Sequence, residues 1–398
     1  FEETCAAGDY VADPELVSTL VRSAKDVLNF LEAHGMKFRE NEVSAGVGGI
    51  WPRGILPVEP KGTGYIRTLK EAADKHRVQI LLLTKMMKLI REDSLTGRVL
   101  GAMAMDNRQN IFAVRAKSVI VATGGFAGDV DFRTKYDHRW TKEFPNSNYP
   151  GVTAEGITIA ADVGADLIGM DHIQLVPVPY DLRNKEYATE VTSVAEDHIY
   201  VNKRGERIVS SDARRDKIRD AIYAQDDHMA FRLCDERGRH RAKEVHPYRF
   251  VSDAQVDESV KSGKLFEEAT ISEVAENAGI DPVSLEKTVT NFNTYVDQRL
   301  DMELGQDPIF LQFKIEKPPF YVWRISLQVH HTMGGLRINT KAQVLDRWGK
   351  VIPGLYAAGE VTGGIHGTNR VGGNALLDIH VFGIIAGRNA ANEALGLC

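Results

Sequence analysis

The residues of this sequence that could do chemistry are concentrated in one C-terminal stretch, from Val329 to Cys398. It contains V-H-H-T-M-G-G-L-R-I-N and then G-L-Y-A-A-G-E-V-T-G-G-I-H-G-T-N-R-V-G-G-N-A-L-L, where glycine and histidine are far denser than elsewhere. Because glycine has no side chain, such doublets let backbone come close to a large flat ligand. The alternative is a set of tight turns in an ordinary α/β domain. Glycine doublets set among histidine and arginine favour the first interpretation, so we expect half of a cofactor site here.

Two adjacent histidines, His330 and His331, lie on a strand-like run. Successive strand residues point to opposite faces, so one ring can face a ligand while the other offers only its backbone. A pair of core histidines is the alternative. Arg370 follows Asn369, just ahead of G-G-N and a helix over Ala375–Leu395. Since guanidinium binds carboxylate through two parallel hydrogen bonds, Arg370 is as consistent with a carboxylate clamp at the helix mouth as with a solvated surface position.

Two further segments end strands with groups that could contact a cofactor. Glu360 ends L-Y-A-A-G-E, and a carboxylate there can accept hydrogen bonds from ribityl or ribose hydroxyls. The apolar run within Lys117–Asp129 leads into Thr123-Gly124-Gly125, as a parallel strand does at a ligand crevice. A buried strand with a glycine turn is equally consistent. Gly151–Ala165 predicts a glycine-opened helix after it.

A charged segment, A-R-R-D-K-I-R-D-A-I-Y-A, predicts a helix that we expect Ser211 and Asp212 to cap. Taken alone, its residues Arg214, Arg215 and Arg219 are typical of a solvated helix face.

The elements that position these groups are indicated by periodicity and turn residues. Apolar spacing of three and four, ended by Gly35, predicts one helix over Pro14–His34. The other N-terminal expectations are a Gly- and Pro-rich loop over Gly46–Gly64, a helix over Ile66–His76, and a small antiparallel group with strands over Val78–Leu83, Lys85–Glu92, Gly101–Asp106 and Ile111–Arg115.

The character of the chain changes from about Asp171. I-Y-V-N-K-R-G-E-R-I-V predicts a hairpin around Lys203–Glu206, and G-I-D-P separates two helices within Thr270–Arg299, with Asp281 in a helix-start position. We therefore expect an inserted, mostly helical and polar domain. It ends near Lys317-Pro318-Pro319, where strands resume.

Composition excludes several classes of protein. The 398 residues, 43% hydrophobic and 26% charged, suit two globular domains or one large domain with an insertion. A net charge of −6 offers no basic field for nucleic acid, and no apolar run is long enough for a membrane span. Cys5, Cys234 and Cys398 are too far apart for a disulfide framework or metal cluster.

Together these strings resemble the flavoprotein family of soluble fumarate reductases and urocanate-type reductases, related to succinate dehydrogenase flavoprotein subunits. The resemblance covers essentially the whole chain and rests on V-I-V-A-T-G-G-F, A-R-R-D-K, H-H-T-M-G-G and L-Y-A-A-G-E-V-T-G-G-I-H-G-T-N-R-V-G-G-N-A. It implies an α/β fold in which a partial Rossmann-like FAD-binding domain is interrupted by a mobile, mostly α+β capping (clamp) domain. The implied boundaries are 1–171 for the first part of the FAD-binding domain, 172–312 for the capping domain and 313–398 for the second part.

The resemblance also implies roles for individual residues. His330 and Arg370 match binders of a substrate carboxylate, and Arg215 matches the arginine that delivers a proton. Reduced flavin would pass hydride to the β-carbon of an α,β-unsaturated carboxylate, and Arg215 would protonate the α-carbon. Arginine is a reluctant acid, with a pKa above about 12, so a relay to solvent or a carboxylate is expected. The remaining implied contacts, with no metal among them, are Gly373 and Glu190 with substrate, and Thr123, Gly124, Gly125, Gly156, His331, Glu360, Ala375 and Leu376 with FAD.

Two departures from the family pattern bear on the substrate and on the relay. Family fumarate reductases carry H-P-T where this chain has Val176-Pro177-Val178, and that histidine holds the second carboxylate of fumarate. Because leaving a carboxylate unpaired in a dry site costs several kcal/mol, we expect a mono-carboxylate with an apolar or aromatic tail instead. The family's T-E-x-x-R relay also loses its arginine to Ser193, which leaves Glu190 a weak relay candidate.

A third departure is that no G-x-G-x-x-G opens the chain, which starts at Phe1 without Met. In the family a first βαβ unit of roughly 30 residues grips the FAD pyrophosphate. We therefore expect a missing or separately cleaved N-terminal segment, without which FAD binds weakly or not at all. The electron donor (a cytochrome, a reduced flavin domain or an NADH-linked partner) would also lie outside this chain.

The leading expectation is an FAD-dependent reductase of the C=C bond of an unsaturated carboxylate. A dehydrogenase running the reverse reaction, as in ketosteroid dehydrogenases, is opposed by Arg215 and the H-H-T-M-G-G string. A flavin-free, inactive structural or partner-binding fragment is favoured by the absent G-x-G-x-x-G but opposed by Arg215, His330 and Arg370.

Overall fold

The computed structural model describes residues 1–44, 49, 51–59, 62–93, 95–245 and 251–397. The chain divides into two compact units. The first unit comprises Phe1–Thr141, Asn146–Gln174 and His330–Cys398, and the second comprises Lys142–Pro145 and Leu175–Val329. The predicted α/β class is confirmed. The predicted domain boundaries, and the functions attached to them, stay predictions.

Helices and strands are mixed along the chain. The helices are α1 (Glu2–Ala7), α2 (Pro14–Arg22), α3 (Ala24–Ala33), α4 (Thr63–Lys75), α5 (Val130–Tyr136), α6 (Glu155–Asp162), α7 (Arg215–Tyr223), α8 (Glu236–Val245), α9 (Asp253–Lys261), α10 (Ile271–Ala278), α11 (Pro282–Gln298) and α12 (Asn374–Leu395). The strands are β1 (Phe38–Ser44), β2 (Gly54–Pro57), β3 (Lys85–Arg91), β4 (Val99–Met105), β5 (Ile111–Arg115), β6 (Val119–Val121), β7 (Leu167–Ile168), β8 (Ile173–Val178), β9 (Tyr180–Asp181), β10 (Glu186–Tyr187), β11 (Ile199–Val201), β12 (Arg207–Val209), β13 (Ala230–Asp235), β14 (Leu265–Glu268), β15 (Phe320–Thr332), β16 (Gly335–Arg337), β17 (Gln343–Leu345), β18 (Val351–Ala357) and β19 (Thr362–Gly363).

In the first unit, a parallel strand pair brings two of the expected site segments to one sheet edge. β6 runs parallel to β18, with Val121 opposite Ala357 at their carboxyl ends. The segments that follow, containing Gly125 and Glu360, therefore leave the sheet side by side. Strands β3, β4 and β5 form the antiparallel group that the sequence predicts. Helix α12 packs against β18, α2 and α3.

The second unit is built around a six-stranded sheet with the order β12-β11-β13-β15-β14, to which β8 adds by pairing with β15. Its core, which includes Leu233, Leu285, Phe292 and Val322, joins this sheet to α10 and α11. The expectation of a mostly helical domain is therefore wrong. Short strands that are buried throughout, as Ala230–Asp235 is, show no polar–apolar alternation to reveal them in a sequence.

Several local predictions are confirmed. Helix α4 occupies the predicted 66–76 segment, and β11 and β12 form the predicted hairpin. Asp281 caps α11, accepting a hydrogen bond from the Ser284 N–H at 2.8 Å. Strand β15 begins directly after Pro319, and α12 follows Gly373.

Other local predictions are wrong, each for an identifiable reason. The helix predicted over 14–34 is two helices that meet at Ser23, and the one predicted over 151–165 begins only at Glu155, after left-handed Ala154. No strand forms over 78–83, where Leu83 has a left-handed φ of 54° that strands do not use. No side chain caps α7, since Arg214 occupies its N-cap position, and Asp212 instead accepts hydrogen bonds from Ser210 and from the Asp307 N–H.

The loop predicted over 46–64 lies partly outside the described residues. Its described part contains β2 and the first residues of α4, so the loop is shorter than expected. Cys5 and Cys234 are buried free thiols, and Cys398 lies outside the described residues.

Candidate functional site

His330 and His331, at the end of β15, lie in different environments, as expected for adjacent strand residues whose side chains point to opposite faces. The half-buried His330 has its Nδ1 2.8 Å from Ser147 Oγ, and its carbonyl accepts a hydrogen bond from the Asn148 amide at 2.9 Å. His331 is buried, with 5% of its surface exposed. His330 can therefore reach a ligand, whereas His331 belongs to the interior of the first unit.

The inward ring of His331 joins a buried network with Glu360 and Thr332. His331 Nδ1 lies 3.4 Å from Glu360 Oε2, while Glu360 Oε1 accepts hydrogen bonds from the Thr332 N–H at 2.9 Å and from its hydroxyl at 3.1 Å. Burial lowers the pKa of His331, so its ring is neutral at pH 7. Burial alone would raise the pKa of Glu360, but the His331 ring and the Thr332 hydrogen bonds lower it to about 2. The site therefore contains a fixed carboxylate.

Gly125 lies directly against this carboxylate. A Cβ at Gly125 would fall 2.0 Å from Thr332 Oγ1 and 2.6 Å from Glu360 Oε1. The neighbouring Phe126 N–H donates to Thr332 Oγ1 at 3.3 Å. The structure thus brings three expected segments together: the turn after β6, the end of β15 and the turn after β18.

The turn after β6 also contacts the start of α6. A Cβ at Gly156 would fall 2.0 Å from Thr123 Oγ1, so glycine lets the helix approach the strand end. Gly124 has a φ of 81°, in the region that favours glycine, and Thr123 is exposed. Thr123 and Gly124 therefore lie next to the Gly125–Glu360 contact, and the Thr123 side chain is exposed there.

Arg370 is a buried cation of the first unit, with 5% of its surface exposed. Its guanidinium donates to Gln174 Oε1 at 3.0 Å and to the Val371 carbonyl at 3.3 Å. Its Nε has no partner among the described residues. Burial lowers the pKa of Arg370 to about 10, although the charges of Glu360 and Asp378 oppose this, so the group stays cationic at pH 7.

Sequence reasoning missed Gln174, which fixes Arg370 from both sides. Its amide nitrogen donates to the Arg370 carbonyl at 2.9 Å and to Asn369 Oδ1 at 3.0 Å, while its oxygen accepts from the guanidinium. A polar residue between Ile173 and Leu175, in an otherwise apolar strand, was the available signal.

Sequence reasoning also missed a buried pair beneath His331. His366 Nε2 lies 3.1 Å from Asp378 Oδ2, and the His366 ring meets the His331 ring edge-on at 5.6 Å between centroids. The second nitrogen of His366 and the second oxygen of Asp378 have no partner among the described residues. These two buried atoms are therefore available for hydrogen bonds that the described residues do not supply.

The start of α12 matches only part of the expectation for it. Gly373 precedes the helix with a φ of 87°, and a Cβ there would meet nothing within 4 Å. The Leu376 N–H already donates to the Gly373 carbonyl at 3.0 Å, so the Ala375 amide is the better candidate for a ligand contact. Leu376 offers an exposed apolar side chain instead.

Some glycines of the opening motif serve the protein itself. Cβ atoms at Gly334 and Gly335 would fall 2.1 Å from the Gly169 carbonyl and 2.2 Å from the Val361 carbonyl. These two glycines permit backbone segments to pass close to each other. At these positions the structural role, which is the alternative to a ligand site, accounts for the glycine. Gly373, by contrast, borders open space.

Arg215 and Glu190 belong to the second unit. Arg215 is the first residue of α7 and half-buried. Glu190 forms an ion pair with the buried Arg232 of β13. Val176, on β8, is also half-buried.

The first unit suits the ring and ribityl side of FAD. An ionised Glu360 can accept hydrogen bonds from hydroxyls, and the Ala375 amide, which bonds no partner in the described part of the chain, can donate one. The open Gly373 leaves room beside them. These residues fit the cofactor. No group of three or more potential ligands suited to a metal ion occurs within the described ranges, and no helix found there has the length and apolar character to cross a membrane.

Comparison with known proteins identifies the same cofactor. A family described as FAD binding domain matches residues 1–376. NADH:acrylate oxidoreductase of Vibrio harveyi is 35% identical over 387 residues, covering 95% of this chain and 37% of that protein. Urocanate reductase of Eggerthella lenta is 33% identical over 397 residues, covering 98% of this chain and 63% of that protein.

A solved structure gives the corresponding match in three dimensions. The open conformation of a flavocytochrome c3 fumarate reductase superposes with a TM-score of 0.76 at 32% identity, covering 99% of this chain and 67% of the other. This likeness confirms the predicted α/β FAD-binding fold with a capping domain. The chain spans less than two thirds of the length of the two curated relatives. It belongs to the FAD-binding domain family, as a fumarate-reductase-like flavoprotein whose cofactor is FAD.

Proposed function

We propose that the protein reduces the C=C bond of an α,β-unsaturated mono-carboxylate with FAD as its cofactor. The observation that carries this proposal is the state of Arg370. Its charge is buried, yet its hydrogen bonds among the described residues go to a neutral amide and a backbone carbonyl. A buried cation without an ion-pair partner is costly, and a substrate carboxylate would supply the missing charge.

His330 is the proposed second contact to that carboxylate. Ser147 and Asn148 hold the residue through its ring and its carbonyl, which reduces the conformational freedom it would lose on binding. The ring and the guanidinium together would bind the acid end of the substrate and stabilise the charge that develops on it during reduction. Gly373, which carries no side chain at the helix mouth, leaves space for this end of the molecule.

The substrate class follows from Val176. An apolar side chain stands where the family's fumarate reductases carry a histidine, so a second carboxylate would find no hydrogen bond from it. The relative named NADH:acrylate oxidoreductase supports this choice, since acrylate has one carboxylate. Substrates with an apolar or aromatic tail at the far end are therefore favoured over fumarate.

Bound FAD supplies a hydride for the β-carbon when it is reduced. Arg215 is the proposed proton donor for the α-carbon, and Glu190 is a candidate to return the proton to Arg215. Thr123, Gly124, Gly125, Gly156, His331, Glu360, Ala375 and Leu376 are the proposed residues around FAD. The electrons come from a donor outside the described chain, of the cytochrome, flavin-domain or NADH-linked kind.

Flavin spectroscopy tests the proposal. The full-length protein loaded with FAD is bleached with dithionite without air, and acrylate, an aryl-substituted acrylate and fumarate are each added. Faster recovery of the oxidised spectrum with the mono-acids is the expected result. Recovery with fumarate alone would overturn the proposed substrate, and a protein that stays colourless after incubation with FAD would overturn the flavoenzyme itself.

A further inference from the structure

A second buried arginine, Arg232, lies in the middle of β13 in the second unit, with 3% of its surface exposed. Both neighbouring strands flank it in register, with Tyr200 of β11 on one side and Trp323 of β15 on the other. Replacing both members of a buried ion pair by apolar side chains is often neutral or stabilising for a fold. The presence of arginine here therefore calls for a reason other than packing.

Arg232 contacts both Glu190 and Tyr200. One terminal nitrogen forms an ion pair with Glu190 Oε1, and the other donates to the Tyr200 hydroxyl at 2.8 Å. The guanidinium carbon also lies 5.0 Å from the centroid of the Tyr200 ring, within cation–π range. Tyr200, on the neighbouring strand, thus positions Arg232, and Arg232 positions one carboxylate oxygen of Glu190.

Glu190 itself stands in a segment without regular structure. Its side chain is 29% exposed, and no described residue bonds its second oxygen, Oε2. The adjacent Thr192 is buried, and its carbonyl accepts a weaker bond from Arg232 at 3.4 Å. One oxygen of Glu190 is therefore anchored while the other is available for proton exchange.

His198 does not add a second positive charge beside Arg232. His198 meets Tyr200 edge-on at 4.9 Å, and its Nδ1 is 2.8 Å from the Val194 carbonyl. Burial and the neighbouring Arg232 charge lower the pKa of His198 well below its ordinary value, so the ring is neutral. Arg232 is thus the group that balances the Glu190 charge.

We propose that Arg232 is a positioning residue that holds Glu190 as the proton-relay carboxylate of the reaction. The chain has Ser193 where the T-E-x-x-R pattern has its arginine, and β13 supplies one from a different part of the sequence. This inference rests on the proposed function. The proton given to the substrate α-carbon leaves Arg215, Arg215 regains it from Glu190, and Glu190 regains it from solvent at Oε2.

A mutant cycle on the FAD-loaded full-length protein tests the inference, with acrylate turnover as the measurement. Arg232→Leu and Glu190→Gln should each lower kcat by about tenfold or more, with KM unchanged, because general acid–base assistance is worth roughly that much or more. The double variant should be no slower than Glu190→Gln alone. If the two losses multiply instead, Arg232 does not act through Glu190 and the inference is wrong.

Three further variants separate positioning from folding. Arg232→Lys keeps the charge and should recover part of the loss, and Ser193→Arg added to Arg232→Leu should restore kcat. Arg324→Leu removes a half-buried arginine from the adjacent strand and should turn over like the parent protein. If Arg232→Leu does not fold, the same cycle is run with Arg232→Lys, and multiplied losses there would again overturn the inference.

The outcome also distinguishes this inference from the proposed function. A parent protein that reoxidises with no unsaturated acid would refute the proposed function. Full kcat in a folded Arg232→Leu protein that still binds FAD would refute the inference alone. A solvent deuterium isotope effect on kcat that is larger in Arg232→Leu than in the parent is the expected signature of a slowed proton transfer.

Discussion

Arg370 and Arg232 are buried arginines of different units, and they differ in what they bond. Arg370 in the first unit bonds a neutral amide and a carbonyl, and burial lowers its pKa to about 10. Arg232 in the second unit bonds a carboxylate and a phenol, and although burial opposes it, their combined effect raises its pKa. The first arginine is therefore prepared to receive a negative charge, and the second already holds one.

This difference suggests a division of labour. A cation with neutral partners can bind an anionic substrate, so changes in the first unit should act mainly on KM. A cation with a carboxylate partner can fix a proton carrier, so changes in the second unit should act mainly on kcat.

The largest effect should come from the proposed proton donor of the second unit. Arg215→Ala should lower kcat by about a thousandfold, since a positioned acid contributes roughly 10²–10⁴-fold, while FAD and substrate still bind. Stopped-flow reoxidation with acrylate measures this. Arg219→Ala on the same helix is the matched control and should keep its activity. Full turnover in Arg215→Ala would show that Arg215 is not the proton donor.

The next effect should fall on binding in the first unit. Arg370→Lys keeps the charge but loses the two parallel hydrogen bonds to a carboxylate, so KM should rise about a hundredfold, or roughly 3 kcal/mol. Arg337→Lys replaces an exposed arginine of the same unit and serves as the control. A fall in kcat with unchanged KM would contradict the division between the units.

An acid-stability measurement should sharpen the description of the first unit. Glu360 has a folded pKa of about 2 against an ordinary value of 4.5, so its stabilisation is complete above pH 4.5 and is lost as the pH falls towards 2. That difference corresponds to up to about 3 kcal/mol in the free energy of unfolding. Urea titrations at pH 7 and pH 3 should show this loss in the parent protein.

The loss should be smaller in Glu360→Gln, which has no carboxyl group to protonate at that position. Glu155→Gln, an exposed position in the same unit, should behave like the parent. If Glu360→Gln keeps the full acid dependence, the ionised Glu360 is not what stabilises the network.

The smallest effect should be a change of preference between substrates. Val176→His adds a hydrogen-bond donor for a second carboxylate, and fumarate turnover should rise about tenfold relative to acrylate, a typical worth for one added hydrogen bond. Val176→Leu, which adds volume without a donor, should leave the ratio unchanged. An unaltered ratio of fumarate to acrylate turnover in Val176→His would show that residue 176 does not determine the substrate.

Local parts of the fold could be predicted from the sequence because local rules determine them. Asp281-Pro282 starts α11, and the apolar run before Thr123 ends a parallel strand. The strand expected over 78–83 did not form, although its residues are apolar, because they are exposed rather than packed in a sheet. Hydrophobicity predicts burial only when a partner surface is present.

The partners within the candidate site could not be predicted in the same way. Arg370 and Gln174 are separated by 196 positions, and Arg232 and Glu190 by 42. Resemblance identified Arg370 and Glu190, but neither periodicity nor turn chemistry connects residues so far apart. Arg232 was not singled out from the sequence, and the sheet places it beside Glu190.

The neutral hydrogen-bond partners of Arg370 have a practical consequence for handling the protein. If Arg370 binds the substrate carboxylate as proposed, it should also accept chloride, acetate or sulfate from a buffer. Such anions would compete with the substrate and raise its apparent KM in proportion to their concentration. Activity is therefore best measured in buffers whose anions are large or dilute, and acetate should inhibit more strongly than its ionic strength alone explains.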